Sequence, residues 1–234
     1  MKAIVFCGGT GGRLRPLTYV IPKQLFPVNG KTVLEHLLDL FKKYDIKDVV
    51  LTVCYLKENL KKYFGDGSKF GVNISYVEEE ELLGTANHLD LAKEHLTETF
   101  VVSNGDELKD IELDEMLKQH KETGALVTVA IKEVADPTVY GVVKLAGKQI
   151  LNFVEKPKRE EAPSNFINTG LYIMEPGILN YVPQSNAMLE KEVFPKLAKE
   201  GKLYGFKFKG QWFDTGTLER YEEAKQKWAG VKPK

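Results

Sequence analysis

Cysteine is scarce, with Cys7 and Cys54 the only two in 234 residues. Their separation fits neither a metal knuckle nor a redox motif. Each thiol lies in or ends an apolar run, Ala3–Cys7 or Val49–Cys54, and reads as a buried structural thiol. Long hydrophobic runs are also missing. Nothing approaches the roughly 18 consecutive apolar residues of a membrane span. The N-terminus carries no signal-peptide pattern, Lys2–Cys7 being too short for an apolar h-region. The expectation is a cytoplasmic protein with reduced thiols, away from any membrane. Excess charge of one sign is absent as well: 33 basic side chains balance 33 acidic ones. That balance argues against a basic nucleic-acid binder and against an acidic disordered tail. There is no internal repeat and no low-complexity tract. At this length folding buries roughly 70% of the unfolded surface, enough for a core without staples.

The charges that are present are unevenly placed. No acidic residue precedes Glu35, whereas Lys2, Arg13, Arg15, Lys23 and Lys31 all do. Two of the four arginines lie in this stretch, which suggests a local site for an anionic ligand. Along the first half, strand-like and helix-like segments alternate. Ala3–Cys7, Val49–Cys54, Val72–Val77, Phe100–Ser103 and Leu126–Ile131 read as strands. Val33, Leu34, Leu37, Leu38 and Phe41 recur at helical spacing behind a Thr32–Glu35 capping box. Leu56–Phe64, Ala86–Leu96 and Glu112–His120 are further helices. The second half is richer in strands. Gly141–Leu145 and Gln149–Glu155 flank Ala146-Gly147-Lys148 as a hairpin, and Phe166–Met174 and Leu203–Phe208 are strands. Met188–Lys199 is a helix that Pro195 ends or kinks, and Thr217–Trp228 closes the chain as another. Lys156–Ser164 is the best loop candidate. The pattern predicts one α/β domain over residues 1–234, with a mixed, mostly parallel sheet in front and a β-rich part behind.

Gly8-Gly9-Thr10-Gly11-Gly12-Arg13 follows the first strand directly. Glycines there let backbone N–H groups close around an anion, making a phosphate-binding nest. Two familiar nucleotide motifs fail on inspection. The dinucleotide fingerprint needs a third glycine where Leu14 stands, and no Lys-Ser/Thr follows the glycines as a Walker loop requires. Gly30-Lys31-Thr32 has Leu25 in the first-glycine place and is better read as a turn and helix cap. The distinctive part is Arg13, then Arg15-Pro16-Leu17-Thr18, then Pro22-Lys23. A guanidinium fork suits two phosphoryl oxygens, and a lysine adds a second positive charge.

The run Gly8–Thr18, continuing through Pro22-Lys23-Gln24-Leu25-Phe26-Pro27-Val28, resembles the signature of the sugar-1-phosphate nucleotidyltransferases, or nucleotide-sugar pyrophosphorylases. The family writes Thr or Ser where this chain has Gly12, so one hydroxyl donor is missing. Further motifs of the family follow in order across about residues 1–228. The resemblance implies a Rossmann-like three-layer fold, with a nucleotide-binding half over about residues 1–135 and a sugar-binding half over about 136–234. It places the nucleotide against Cys7, Gly8, Gly9, Thr10, Gly11, Gly12, Arg13, Lys23, Glu79 and Asn104, with Leu83-Gly84-Thr85-Ala86 as the base-reading loop. In that loop Thr85 can cap the helix that follows. The sugar phosphate is implied to lie against Tyr140, Gly141, Glu155, Lys156, Asn168 and Thr169. Asp106, in Asn104-Gly105-Asp106, and Asp214, in Trp212-Phe213-Asp214-Thr215-Gly216, resemble the family's Mg2+ ligands.

The implied reaction joins a nucleoside triphosphate to a sugar 1-phosphate, releasing pyrophosphate, with Arg13, Lys23, Lys156 and Asp106 carrying the chemistry. Its nucleophile is an anionic phosphate oxygen, so the lack of a Ser-His-Asp or Cys-His set is no objection. Leu83-Gly84-Thr85-Ala86 and Glu190–Pro195 look most like mannose-1-phosphate guanylyltransferases. Lys23-Gln24-Leu25 and Asp214-Thr215-Gly216 look more like glucose-1-phosphate thymidylyl or uridylyl enzymes. Guanylyl relatives often carry a C-terminal β-helix, which the expectation here omits. A non-catalytic nucleotide-sugar sensor is the rival from another class; it has no use for the paired carboxylates. The sequence is compatible with a homo-oligomer.

Overall fold

A computed structural model of the chain describes residues 1–81 and 83–233. In chain order its strands and helices begin with β1 (Ala3–Phe6), β2 (Pro27–Val28), β3 (Lys31–Thr32), α1 (Val33–Lys43) and β4 (Asp48–Val53). Next come α2 (Lys57–Phe64), β5 (Asn73–Glu78), α3 (Asn87–Leu91), β6 (Phe100–Asn104), β7 (Glu107–Lys109) and α4 (Leu113–Thr123). The rest are β8 (Val127–Glu133), β9 (Gly141–Ala146), β10 (Gln149–Glu155), β11 (Phe166–Met174), α5 (Phe194–Lys199), β12 (Leu203–Lys207), β13 (Trp212–Asp214) and α6 (Leu218–Lys227). The fold is α/β with mixed pairing. No described helix is long and apolar enough to cross a membrane.

The chain divides into two compact units. The first gathers Met1–Leu82, Ser103–Ile111 and Gly210–Lys234, and the second gathers Leu83–Val102 and Glu112–Lys209. The segments at 103–111 and 210–234 return to the first unit.

In the first unit β4 pairs in parallel with β1 and β5, Ala3 opposite Val49 and Asp48 opposite Asn73. β1 and β4 are buried, mostly apolar runs, as parallel strands with covered faces should be, whereas β5 at the sheet edge is partly exposed. The helix α1 begins as its sequence requires. Thr32 Oγ1 accepts the Glu35 N–H at 3.2 Å while the Thr32 N–H donates to Glu35 Oε2 at 2.6 Å. Its buried face carries Val33, Leu34, Leu37, Leu38, Leu40 and Phe41. Leu14 and Phe26 of the glycine-rich segment share a core cluster with Val33, Leu108, Tyr221, Ala224 and Trp228. The C-terminal helix therefore clamps the loop that follows β1. Phe26 meets Tyr221 edge-on at 5.3 Å, and the Tyr221 hydroxyl donates to the Pro27 carbonyl at 2.6 Å. A short antiparallel ribbon, β7 with β13, completes this unit.

In the second unit β8 and β12 run parallel, while β11 with β8, β12 with β10, and β10 with β9 are antiparallel. Parallel pairing thus marks the first unit, and the antiparallel β9–β10 hairpin expected in the strand-rich rear part is present in the second. The hairpin turns at Gly147-Lys148, with Ala146 opposite Gln149 and Gly147 at a positive φ. The helix expected over residues 86–96 is shorter, ending at Leu91 and followed by a 3-10 turn, Lys93–His95. That expected over 188–199 opens as a widened π turn, Leu189–Val193, and becomes α-helical only at Phe194. Pro195 explains the split: it has no N–H to donate and its ring clashes with a regular preceding turn, so it sits in the first turn of α5.

Candidate functional site

The loop after β1 is shaped by its glycines. Gly11 has a φ of 64°, and a Cβ there would lie 2.7 Å from the Thr18 methyl. Thr18 fixes the loop by donating its hydroxyl to the Gly11 carbonyl at 2.9 Å. Lys23 reaches back across Gly9, its ammonium 3.4 Å from where a Cβ would stand, and ends in an ion pair with Asp106. Burial opposes the Lys23 charge, but Asp106, then Asp214 and Glu107, hold its pKa above the ordinary value. For Asp106 burial acts upward, and the charge and hydrogen bond of Lys23, with Lys109 behind, keep the carboxyl below the usual range. Exposed Arg13 lies against Gly216, where an added Cβ would come within 2.9 Å of its guanidinium.

Asp106 and Asp214 are held by separate devices. Gly105 must be glycine, since a Cβ would fall 2.8 Å from the Cys7 sulfur. Its N–H donates to the Phe6 carbonyl at 3.0 Å, which docks the turn bearing Asp106 against the end of β1. Thr215 donates to the Asp106 carbonyl at 2.7 Å, and Asp214 accepts the Gly216 N–H at 2.7 Å and pairs with Arg220. Cys7 is fully buried, and desolvation pushes its thiol far above the ordinary value, so only its backbone can face a ligand.

Behind the aspartates lies a buried polar cluster that sequence reasoning missed. Glu107 accepts from Asn104 Nδ2 at 3.0 Å and Trp212 Nε1 at 2.8 Å, and pairs with fully buried Lys109 at 3.1 Å. Lys109 also donates to Ser103 Oγ at 3.1 Å. Burial raises the Glu107 carboxyl; Lys109 and the Asn104 hydrogen bond pull it down, while Asp106 and Asp214 push it up. Asn104, expected on the nucleotide, thus has its amide engaged with Glu107. Glu79 is buried too. Among the described residues no group of three or more Asp, Glu, His or Cys side chains is disposed to hold a metal. The protein can offer two carboxylates, which matches Mg2+, an ion that keeps its waters and takes substrate phosphate oxygens.

The second unit carries the remaining candidates. Gly84 lies directly on Ala187: a Cβ would overlap its carbonyl oxygen at 1.9 Å. The same carbonyl accepts the Ala86 N–H at 3.0 Å, and the Ala187 N–H donates to Asn87 Oδ1 at 2.7 Å. Contrary to expectation Thr85 does not cap α3; the N-cap is Ala86, without a side-chain bond. The Thr85 hydroxyl instead donates to Glu190 at 2.7 Å and accepts the Leu189 N–H at 2.9 Å. Burial, with a smaller push from Glu155, raises the Glu190 carboxyl, and its bond from Thr85 opposes the shift.

Gly141 packs under Phe153 and Glu155; a Cβ would come within 2.5 Å of the ring and 2.9 Å of the carboxylate. The Lys156 N–H donates to the Tyr140 carbonyl at 3.0 Å, so this turn gathers Tyr140, Gly141, Glu155 and Lys156. Lys156 adopts a φ of 49° and leaves its ammonium exposed, 3.3 Å from the mostly buried Glu155 carboxylate. The register of β11 slips between Asn168 and Tyr172, with Gly170 at a φ of 60°. At this bulge Asn168 bridges the Gly170 N–H and the Tyr172 hydroxyl, at 2.9 and 2.8 Å. Thr169 is buried, its hydroxyl donating to the Ala130 carbonyl at 2.8 Å.

One unit thus holds a glycine loop with two bases and two carboxylates, and the other a Glu-Lys turn. The nucleotidyl transferase family model matches residues 2–230. The mannose-1-phosphate guanylyltransferase catalytic subunit beta of Xenopus tropicalis is 40% identical over 222 residues, covering 92% of this chain and 61% of that protein. The UTP–glucose-1-phosphate uridylyltransferase of Synechocystis is 38% identical over 241 residues, covering 96% and 62%. A crystal structure of UDP-glucose pyrophosphorylase complexed with UDP-glucose superposes with a TM-score of 0.84 at 25% identity, covering 97% of both chains. The chain spans about three fifths of the length of those two curated relatives. On the family match, which runs over nearly its whole length, the chain belongs to the nucleotidyl transferase family.

Proposed function

We propose that the chain transfers a nucleotidyl group from a nucleoside triphosphate to a sugar 1-phosphate, giving a nucleoside diphosphate sugar and pyrophosphate. The observation that carries this reading is the cluster of Lys23, Asp106 and Asp214 beside a glycine loop that also bears Arg13. Arg13 and Lys23 hold the triphosphate by charge and hydrogen bond. Gly8, Gly9, Thr10, Gly11 and Gly12 present backbone to it, and Gly84, Thr85, Glu79 and Asn104 complete nucleotide recognition. Lys156 holds the phosphate of the sugar, and Glu155, Tyr140, Gly141 and Asn168 recognise its hydroxyls. Thr169 serves only by shaping the bulge, because its hydroxyl is used on Ala130.

In the reaction an oxygen of the sugar phosphate attacks the α-phosphorus, a new P–O bond forms, and the bond to the β-phosphate breaks. A phosphate monoester has a second pKa of about 6 and is already anionic at neutral pH, so no general base is needed. Rate enhancement comes from alignment and charge neutralisation. Asp106 and Asp214 fit Mg2+ as two carboxylate ligands, and the ion, when bound, neutralises charge on the α-phosphate. Lys23 is paired with Asp106, and a cation held by Asp106 and Asp214 would compete with it for that carboxylate.

Guanylyl transfer to mannose 1-phosphate is the first choice of substrates, supported by the 40% identity to a protein named for that reaction. Thymidylyl or uridylyl transfer to glucose 1-phosphate is the second, supported by the relative at 38%. Pyrophosphate release measured across four nucleoside triphosphates and several sugar 1-phosphates, with and without Mg2+, tests the reading. One strongly preferred pair, active only with the metal, is expected. No release with any pair refutes it.

A further inference from the structure

Glu190 is the one buried carboxylate among the described residues of the second unit, and the proposed reaction gives it no role. Its two oxygens serve different partners. One accepts the Thr85 hydroxyl at 2.7 Å, and the other accepts the Tyr172 hydroxyl at 3.4 Å. Both hydroxyls are receiving bonds in turn. Thr85 accepts the Leu189 N–H at 2.9 Å, and Tyr172 accepts from Asn168 Nδ2 at 2.8 Å. The Asn168 amide has its orientation set by the Gly170 N–H on Oδ1. The result is a directional chain running inward from both ends: Asn168 to Tyr172 to Glu190, and Leu189 to Thr85 to Glu190. An ionised carboxylate suits the junction because it only accepts, so both hydroxyl protons point toward it and both hydroxyl lone pairs stay available outward.

We propose that Glu190 is a positioning residue that sets the Thr85 loop and the Asn168 side chain in one arrangement, coupling nucleotide recognition to sugar recognition. This rests on the reading of Thr85 as nucleotide-facing and Asn168 as sugar-facing. The segment around Glu190 is fitted for the task. Residues 84–87 lie on Ala187 with no room for a Cβ at Gly84, so movement of residues 187–190 is transmitted to that loop. Tyr172 is fully buried and its ring packs on Phe194 at 5.2 Å, so its hydroxyl cannot swing away to another partner.

Glutamine has nearly the same shape as glutamate but offers one acceptor and one donor group. With Glu190→Gln one of the two hydroxyls must turn its proton away and accept from the amide, so that proton loses its buried acceptor and the hydroxyl is no longer held in one direction. The test is initial-rate kinetics of pyrophosphate release on the full chain, with its preferred substrate pair, for Glu190→Gln, Thr85→Val and Tyr172→Phe. Thr85→Val is expected to raise KM for the nucleotide alone, and Tyr172→Phe to raise KM for the sugar phosphate alone. Glu190→Gln is expected to raise both by fivefold or more, with kcat changed less than threefold. A merely structural role lowers kcat with the amount of folded enzyme and leaves both KM values within twofold of wild type; that result overturns the proposal. If Glu190→Gln does not fold, the hydroxyl variants decide, and unchanged KM values in both overturn it equally. An inactive wild type refutes instead the proposed reaction, so the two failures are distinguishable.

Discussion

Removing the Lys109 ammonium tests whether the buried charges behind Asp106 are balanced as the structure shows. Lys109 is fully buried and stands 3.1 Å from Glu107, with Ser103 Oγ as a further partner. At that separation the attraction is about 5 kcal/mol for an effective dielectric of about 20. Lys109→Met keeps the length of the side chain and relieves the desolvation of the ammonium. It also leaves the Glu107 carboxylate buried with Asp106 and Asp214 nearby and no cation on that side. Breaking one side of a buried pair costs about 3–5 kcal/mol, and that is the expected loss. Glu107→Gln costs less, about 1–2 kcal/mol, because the amide still accepts one bond and a like charge beside Asp106 is gone. The double variant should fall short of the sum by about 2 kcal/mol, the coupling of two groups in contact. Both tryptophans, Trp212 and Trp228, belong to the first unit. Urea unfolding followed by tryptophan fluorescence therefore reads that unit directly. A loss below about 1 kcal/mol for Lys109→Met, or strict additivity in the double variant, would show that the pair is not the balance described.

Three shorter predictions follow from other parts of the molecule. Asp106→Asn keeps the shape of the turn but weakens both the Lys23 pair and any cation site; pyrophosphate release should drop at least about 100-fold, about 2.7 kcal/mol of barrier, with circular dichroism unchanged. Gly84→Ala places a Cβ on the Ala187 carbonyl at 1.9 Å and must break the Ala86 bond to that oxygen. Overpacking and the lost bond together should destabilise the loop by about 2–4 kcal/mol, read as a raised nucleotide KM. His36 is used as a neutral ring: Nε2–H donates to the Val28 carbonyl at 2.9 Å while Nδ1 accepts from Trp228 Nε1 at 3.1 Å. Burial lowers its pKa below the ordinary value. The native state then binds fewer protons than the unfolded one, so stability is full above about pH 6.5 and declines as pH falls through that range. Melting temperatures of wild type and His36→Gln between pH 7.5 and 5 measure this, and an equal decline in both refutes it.

Elements whose cause is local were legible in the sequence. The capping box starts α1 at the expected residue, the Gly147-Lys148 turn closes the hairpin, and β11 spans the expected nine residues. Elements defined by distant partners were not. The ribbon of β7 and β13 consists of three-residue strands whose partners are about a hundred positions apart, as in Trp212 opposite Lys109. Neither strand has an alternating pattern long enough to see. Yet it holds Glu107 and Asp214, so the sequence offered Asp106 and Asp214 through a resemblance and missed the ribbon beside them. The bulge at Asn168–Tyr172 escaped for a related reason: Gly170 inside an apolar run signals a departure from regular strand, but not which side chains the departure turns toward Ala130 and Tyr172.

The charges show the same division between what a motif announces and what a fold decides. The opening segment, with five basic and no acidic side chains before Glu35, looked like a free cationic patch. In the folded first unit Lys23 is paired with Asp106, Lys31 with Asp39, and Arg13 lies beside the Asp214–Gly216 turn. Asp106 and Asp214 come from the segments at 103–111 and 210–234 that the chain returns to this unit. A site of bases alone binds any polyanion and is screened by salt. Bases interleaved with carboxylates disfavour a bare polyanion relative to one that arrives with a cation, which is the form the proposed reaction would use. The returning segments therefore do more than complete the core: they convert a cationic loop into a discriminating one.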